Sequence, residues 1–305
     1  MIDAAALSKL TFPLRYHEYS ARDAALYAIC AGMGVTDPRR EDELHYVIVG
    51  SDQRTLPTMV TAVAWDDQWV HQIGVDVPGV LHTAQAIRMH RPIPVSARLI
   101  SRRRIGRVED RGAERGAVIS LVSEIFDVET GALLADTELV ILARNDGGFS
   151  PSAVRPGQRL DEEPGRPPDV VDITPTSRSL ALQYRLLGDD NPLHAIPTAA
   201  LKSGFKHPIL HGLCMLAIAC KHVTCSALGG DTRSIRSIEA RFSGEVYPGE
   251  TLQTSIWKDG ENLLFTTVAL ERGRTVLKGG RVRTDGVHSL PDRSRADVAT
   301  SGTDK

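Results

Sequence analysis

No apolar run in this 305-residue chain approaches the roughly 20 residues a helix needs to cross a bilayer. No membrane partner is therefore expected. Charge of one sign is not in excess either: 36 Lys+Arg stand against 38 Asp+Glu, a formal net charge of −2. That balance offers no basic field to a nucleic-acid backbone and no positive surface to anionic lipid. Cysteine is sparse. Cys30, Cys214, Cys220 and Cys225 show no CxxC spacing, so free thiols in a reducing compartment are expected rather than a disulfide framework or a zinc site. Asp3 and Lys9 near the N-terminus are wrong for a secretory signal. The expectation is a soluble, cytoplasmic protein. What is there is globular in composition, with 42% hydrophobic and 24% charged residues. The length suits about two domains of roughly 100–200 residues each.

The chain repeats itself. At an offset of 154, Pro38 meets Pro192, Gln85-Ala86 meets Glu239-Ala240, and Pro94 meets Pro248. At an offset of 157, Ser20 meets Ser177 and Tyr27 meets Tyr184. Matches in constant order at a near-constant offset indicate a duplicated fold.

Each half reads as helix, loop, second helix, then strands. In the second half Leu180, Tyr184 and Leu187 share a helical face, with Thr176 or Ser177 as cap and Gly188 as stop. Gly212 to about Ala227 is apolar nearly all round and should be buried. Strands are expected at Ile235–Tyr247, Thr251–Lys258, Asn262–Glu271 and Arg274–Thr284, with turns at Asp259-Gly260 and Arg272-Gly273. The first half offers Val95–Arg104, Ala117–Asp127 and Ala132–Ala143, with a turn at Thr130-Gly131. An antiparallel sheet wrapped on a buried helix is an α+β pattern. The domains are then residues 1–146 and 171–287, joined by a Gly-, Pro- and acid-rich linker at 147–170, with a polar, disordered tail at 288–305.

The chemistry gathers after the second-half helix, in Gly188-Asp189-Asp190-Asn191-Pro192-Leu193-His194. Asp189 and His194 flank a turn stiffened by Pro192, where a carboxylate and an imidazole can share one water. Burial can move both pKa values toward neutrality. Asn191 offers a donor and an acceptor to that water. The same residues are also good turn and capping chemistry. Gly212, at the start of the buried helix, presents an unpaired N–H and the positive end of a dipole, an oxyanion hole in the making.

Tyr184 to His194, followed by Pro208-Ile209-Leu210-His211-Gly212-Leu213 and Tyr247-Pro248-Gly249-Glu250-Thr251-Leu252, resembles the signature of the R-specific enoyl-CoA hydratases, the MaoC-like dehydratases. The first half is similar too, in Leu56-Pro57-Thr58, Leu81-His82, His90-Arg91-Pro92-Ile93-Pro94 and Gly147-Gly148-Phe149. The resemblance spans about residues 10 to 285 and is to the double hot-dog type of multifunctional β-oxidation enzymes. It implies Asp189 and His194 as the acid–base pair, Asn191 as their positioning partner and the Gly212 N–H as the thioester oxyanion donor. The reaction it implies is reversible hydration of a trans-2-enoyl-CoA to the (3R)-3-hydroxyacyl-CoA, with no metal and no redox cofactor, in a homodimer. Two departures bear on substrate shape: Leu187 stands where many members have Ser or Thr, and Ala195-Ile196 replaces a commoner Ile-Asp.

The first half lacks this equipment. At the 154 offset Asp189 falls on Val35, Asn191 on Asp37 and His194 on Arg40. The resemblance suggests that this half makes room for a bulky acyl chain; a purely structural duplication would look the same. Other signals weigh less. Gly32-Met33-Gly34 lies at a helix end, not after a strand, and is no dinucleotide fingerprint. His207 and His211 lack the HExxH context of a zinc site. His211 is expected to hold the Gly212 turn, Tyr184 to be core, and Arg102-Arg103-Arg104 to be a solvated strand end. The same three arginines, Lys206, Lys221 or Arg233 are candidates for the coenzyme A phosphates, and nothing in the sequence chooses among them. A non-catalytic acyl-CoA-binding protein and an acyl-CoA thioesterase remain the alternatives. The intact Asp189, Asn191 and His194 favour the hydratase.

Overall fold

Alternation along the chain builds the strands. In β3 (Ala97–Asp110), Leu99, Ser101, Arg103 and Ile105 point inward and are buried, while Arg102 and Arg104 face out. This computed structural model describes residues 2–35, 40–150 and 163–285. Residues 151–162 of the expected linker and the whole of the expected tail lie outside the described residues. The remaining first-half strands are β1 (Arg15–Tyr19), β2 (Val80–Met89), β4 (Ala117–Asp127) and β5 (Leu133–Ala143). The second half supplies β6 (Val170–Pro175), β7 (Ile235–Phe242), β8 (Thr251–Asp259), β9 (Asn262–Ala269) and β10 (Arg274–Thr284). All ten form one antiparallel sheet in the order β1-β3-β4-β5-β2-β7-β10-β9-β8-β6. The order is the same read from either end: the first strand of each half is an edge and the second is central.

The two halves join where β2 pairs with β7. Gln85 faces Ala240 and Ala86 faces Glu239. A pseudo-two-fold axis therefore passes between these pairs and relates residue i to i+154, the offset of the repeat. The hairpins fall as expected, with Gly131, Gly260 and Gly273 at positive φ. Three strands carry no strong signal: β1 and β6 are short edges, and β2 opens on the mixed Val80-Leu81-His82-Thr83. β7 stops at Phe242 rather than Tyr247, and β9 at Ala269, where a 3-10 turn takes over.

The helices are α1 (Ala4–Ser8), α2 (Ala21–Cys30), α3 (Glu41–Val47), α4 (Val60–Val63), α5 (Leu180–Tyr184), α6 (Pro197–Lys202) and α7 (Gly212–Ala227). A capping box between Ser20 and Asp23 opens α2. Its counterpart α5 has no such cap: Thr176 instead donates to the Glu250 carbonyl, and the chain tightens to a 3-10 turn before Gly188. Every residue of α7 from Leu213 to Ala227 is buried, as an all-apolar helix requires.

The expected first-half equivalent of α7 is not there. Only a 3-10 turn, Pro57–Met59, and the four residues of α4 form. The chain leaves the helical path at Trp65, and Asp66 turns to meet Arg103 at 2.5 Å and Arg15 at 2.9 Å. Arg103 is thus buried, not solvated, unlike exposed Arg102 beside it.

Lys221 is also buried, which removes it as a contact for coenzyme A phosphates. Its Nζ lies 3.5 Å from the Glu43 carboxylate of α3 and 4.0 Å from Asp172, and both Lys221 and Glu43 are fully buried. Glu43 also accepts from the Gly34 N–H at 2.7 Å. The neighbouring His222 bridges Thr174 and Thr254, each at 2.8 Å. This cluster ties α7 to the first half. Removing one partner of a buried pair costs up to about 3–5 kcal/mol, less here because Arg40 at 3.5 Å still meets Glu43 and Asp172 at 4.0 Å still meets Lys221. Lys221→Met or Glu43→Gln alone is expected to lower the melting temperature. The double variant should recover much of the loss in thermal unfolding; additive losses would contradict the pairing.

Candidate active site

The turn after α5 is set by Gly188, whose φ of +121° L-residues rarely adopt. It lays the following residues against the first half: a Cβ on Gly188 would sit 3.9 Å from the Ala62 carbonyl and 4.0 Å from Trp65. The Asp189 carboxylate accepts from the Asn191 N–H at 3.3 Å, and Asn191 Oδ1 caps the next 3-10 turn by accepting from the Leu193 N–H at 3.0 Å. Pro192 starts that turn, which ends at His194. Asn191 thus spends its acceptor on the backbone, and its amide NH2 is what remains to meet a water.

Asp189 and His194 are 8% and 9% exposed. His194 Nδ1 donates to the Ile209 carbonyl at 2.8 Å, which leaves Nε2 as an unprotonated acceptor. One donor atom each of Asp189, His194 and His211 lies within 4.8 Å of the others. A water bonded to two groups at about 2.8 Å each can bridge that span. Burial, with help from the Asp67 and Asp190 charges, pushes the Asp189 carboxyl up to about 7. Burial pushes His194 down to about 4. Near neutral pH the pair is therefore a half-ionised carboxyl beside a neutral imidazole.

His211 does more than hold a turn. Its ring stacks on His194, with centroids 3.7 Å apart, and its Nε2 donates to the Asp189 carbonyl at 3.2 Å. It touches both members of the pair and precedes Gly212. Tyr184 is buried as expected and packs on His211 at 5.0 Å. Gly212 is the first residue of α7, where N–H groups have no acceptor within the helix. A Cβ there would lie 3.3 Å from the Phe242 ring, and Phe242 in turn stacks edge-on against His82 of the first half at 4.8 Å. The glycine thus makes room for an aromatic wall as well as for a substrate.

Asp67, His82, Trp65 and Phe242 were not legible as site residues. The one available signal is Asp66-Asp67, acid where the repeat places the apolar α7. At the pseudo-symmetric positions Val35 is exposed and Arg40 pairs with Asp42 at 2.6 Å, so no acid–base pair forms there. Asp37 lies outside the described residues.

Two family models match this chain: the MaoC like domain over residues 158–279 and the MFE-2 hydratase 2 N-terminal domain over residues 17–145. The 3-hydroxyacyl-thioester dehydratase Y of Mycobacterium tuberculosis is 36% identical over 92% of this chain and 98% of its own length. The chain belongs to the MaoC-like dehydratase family. Enoyl-CoA hydratase 2, peroxisomal, of Arabidopsis thaliana is 34% identical over 88% of this chain and 91% of the relative. A MaoC-like dehydratase from Phytophthora capsici superposes with a TM-score of 0.79 at 26% identity, covering 93% of this chain and 99% of that one. The duplication read from the repeat, and the double hot-dog fold that the resemblance implied, are thus the arrangement found.

The raised Asp189 pKa has a consequence for stability. A carboxyl raised in the folded state favours folding below its unfolded pKa of about 4 and loses that contribution as pH rises through about 7. Asp189→Asn has no charge to bury. Relative to wild type it should gain several degrees in melting temperature between about pH 4 and pH 8. A constant difference across that range would contradict the buried, unpaired carboxyl.

Proposed function

We propose that this enzyme is a hydro-lyase that reversibly hydrates trans-2-enoyl-CoA thioesters to (3R)-3-hydroxyacyl-CoA. The family supports the reaction class, and the observation that carries it to residues is the Asp189–His194 pair beside the start of α7. Water held between the carboxylate and His194 Nε2 attacks C3. The C2–C3 π bond breaks and its electrons move toward the thioester oxygen, where the Gly212 N–H and the α7 dipole meet the developing charge. Asp189 takes the proton that the water gives up, and the proton is delivered to C2. A carboxyl titrating near 7 suits both acceptance and return. His194 stays neutral and fixes the water.

The donor set Asp189, His194 and His211 invites the question of a metal. The two rings are stacked only 26° from parallel. An imidazole lone pair lies in its ring plane, so stacked rings aim their lone pairs side by side rather than at one ion. We therefore assign the site to acid–base chemistry without a metal or redox cofactor. The shortened first-half helix supports a role for that half in receiving a bulky acyl group, with coenzyme A as part of the substrate. Among the described residues no helix is long and apolar enough to cross a membrane. Four buried free cysteines support a reducing compartment, and we keep the cytoplasm as the proposed location, although the plant relative is named peroxisomal. A homodimer is proposed, supported by Tyr16 on edge strand β1 and Val171 and Ile173 on edge strand β6, all exposed.

Loss of an acid–base group costs on the order of 10²–10⁴ in rate, and groups acting as a unit do not add. Asp189→Asn and His194→Gln should each lose kcat by that amount while still binding enoyl-CoA, and the double variant should be little worse. Chelator should leave wild-type turnover unchanged. Normal turnover in Asp189→Asn would end this assignment.

A further inference from the structure

The pseudo-two-fold axis gives the catalytic site a counterpart in the first half. Pro57 opens the 3-10 turn there as Gly212 opens α7, one residue off the strand offset. Proline has no N–H, so the oxyanion donor is gone along with the acid–base pair. Val35 and Arg40, the counterparts of Asp189 and His194, do not reach the cavity that lies beside Pro57. That cavity has a volume of about 340 Å³, and its lining includes Pro57 and four arginines, Arg54, Arg91, Arg233 and Arg236, against one carboxylate, Asp231. Arg236 on β7 stands where the axis carries His82 of β2.

The charges are not balanced internally. Asp231 engages Arg233 at 2.6 Å, and Asp285 engages Arg236. Arg54 donates only to the Gly230 carbonyl, at 3.4 Å. Among the described residues no carboxylate pairs with Arg54 or Arg91. Guanidinium forks match phosphate oxygens two at a time, more closely than a lysine can. Beside the polar Gln53, Thr55 and Thr232, the lining has an apolar stretch at Met89, Pro92, Ile93 and Pro94, which can take the face of a base. The volume lies in the range of small-molecule sites, roughly 300–1,000 Å³. The cavity takes in Asp231 and Thr232, beyond the C-terminal end of α7, whereas the catalytic pair sits at its N-terminal end. The 16 residues of α7 separate the two by about 24 Å at ~1.5 Å per residue.

We propose that this cavity is a second, non-catalytic site that binds a nucleoside bisphosphate, the adenosine 3′,5′-bisphosphate portion of coenzyme A. The choice of nucleotide rests on the thioester reading above; the phosphate site itself does not. The half that lacks the acid–base pair then carries a binding pocket of its own, beside the turn that Pro57 opens.

The test is calorimetric titration of the full chain with adenosine 3′,5′-bisphosphate and, separately, with inorganic pyrophosphate. The comparison is the double variant Arg54→Ser, Arg91→Ser, both exposed positions whose loss does not threaten folding. The expected result is a nucleotide-binding event that weakens at least about tenfold in the variant and with added salt. Hydration of a short enoyl-CoA should keep its kcat and KM. Unchanged nucleotide binding in the variant overturns the site. A matching rise in KM overturns its independence, because the arginines would then serve the catalytic centre. Pyrophosphate binding as tightly as the nucleotide overturns the assignment of the base. Arginine-dependent binding in a protein with no hydratase turnover would leave this site standing and remove the functional reading instead.

Discussion

Five residue pairs between β2 and β7 hold the two halves in one sheet, and the rest of the molecule depends on that seam. With β2 and β7 paired, neither half has an exposed central edge, and the first strand of each half is left to close an outer edge. The seam brings α2 beside α5, where Tyr27 and Tyr184 approach at 6.1 Å. It also sets the Gly188 turn on Ala62 and Trp65 and the Phe242 ring on His82. The Asp189–His194 pair belongs to the second half, but the walls that desolvate it come from both.

The halves then diverge around one helix. In the second half sixteen residues run as α7, buried from Leu213 onward, tied just past its middle by Lys221 to Glu43 and free at its N-terminus to meet negative charge. In the first half Pro57 begins the equivalent turn and Asp66 pulls the chain away after α4. Among the described residues the Asp189–His194–His211 cluster has no counterpart in the first half. The proposed chemistry rests on a carboxyl whose burial outweighs the nearby Arg185 charge and costs the fold on the order of 4 kcal/mol when it is ionised. The surrounding core supports that cost, and a carboxyl so held can exchange a proton near neutral pH.

What could be read from the sequence follows from how local each signal is. The bounds of α7, the three glycine turns and β4 were legible because hydrophobicity and turn chemistry act over a few residues. The 154 offset was legible and proved to be the operator of the sheet. Asp189, His194 and Gly212 could be singled out as candidates because they sit in short motifs tied to a helix end, and the structure buries the first two side by side. The edge strands β1 and β6 were not, since five or six residues with one exposed face carry little pattern. Nor were Arg103 and Lys221 as buried residues, because a charge reads as solvated until its partner, Asp66 or Glu43, is brought to it by the fold. The His211 stack and the Phe242 wall are contacts between segments far apart in the chain, and no local pattern announces them.

A buried Asp189, poised near neutrality beside a neutral His194, is proposed to handle the proton of hydration. The pH dependence of kcat/KM for a trans-2-enoyl-CoA reports the ionisation of the free enzyme and so reads that carboxyl. It should fall by about tenfold per pH unit below an apparent pKa of about 7, the value to which burial pushes Asp189. A profile flat from about pH 5 to about pH 8 would contradict it.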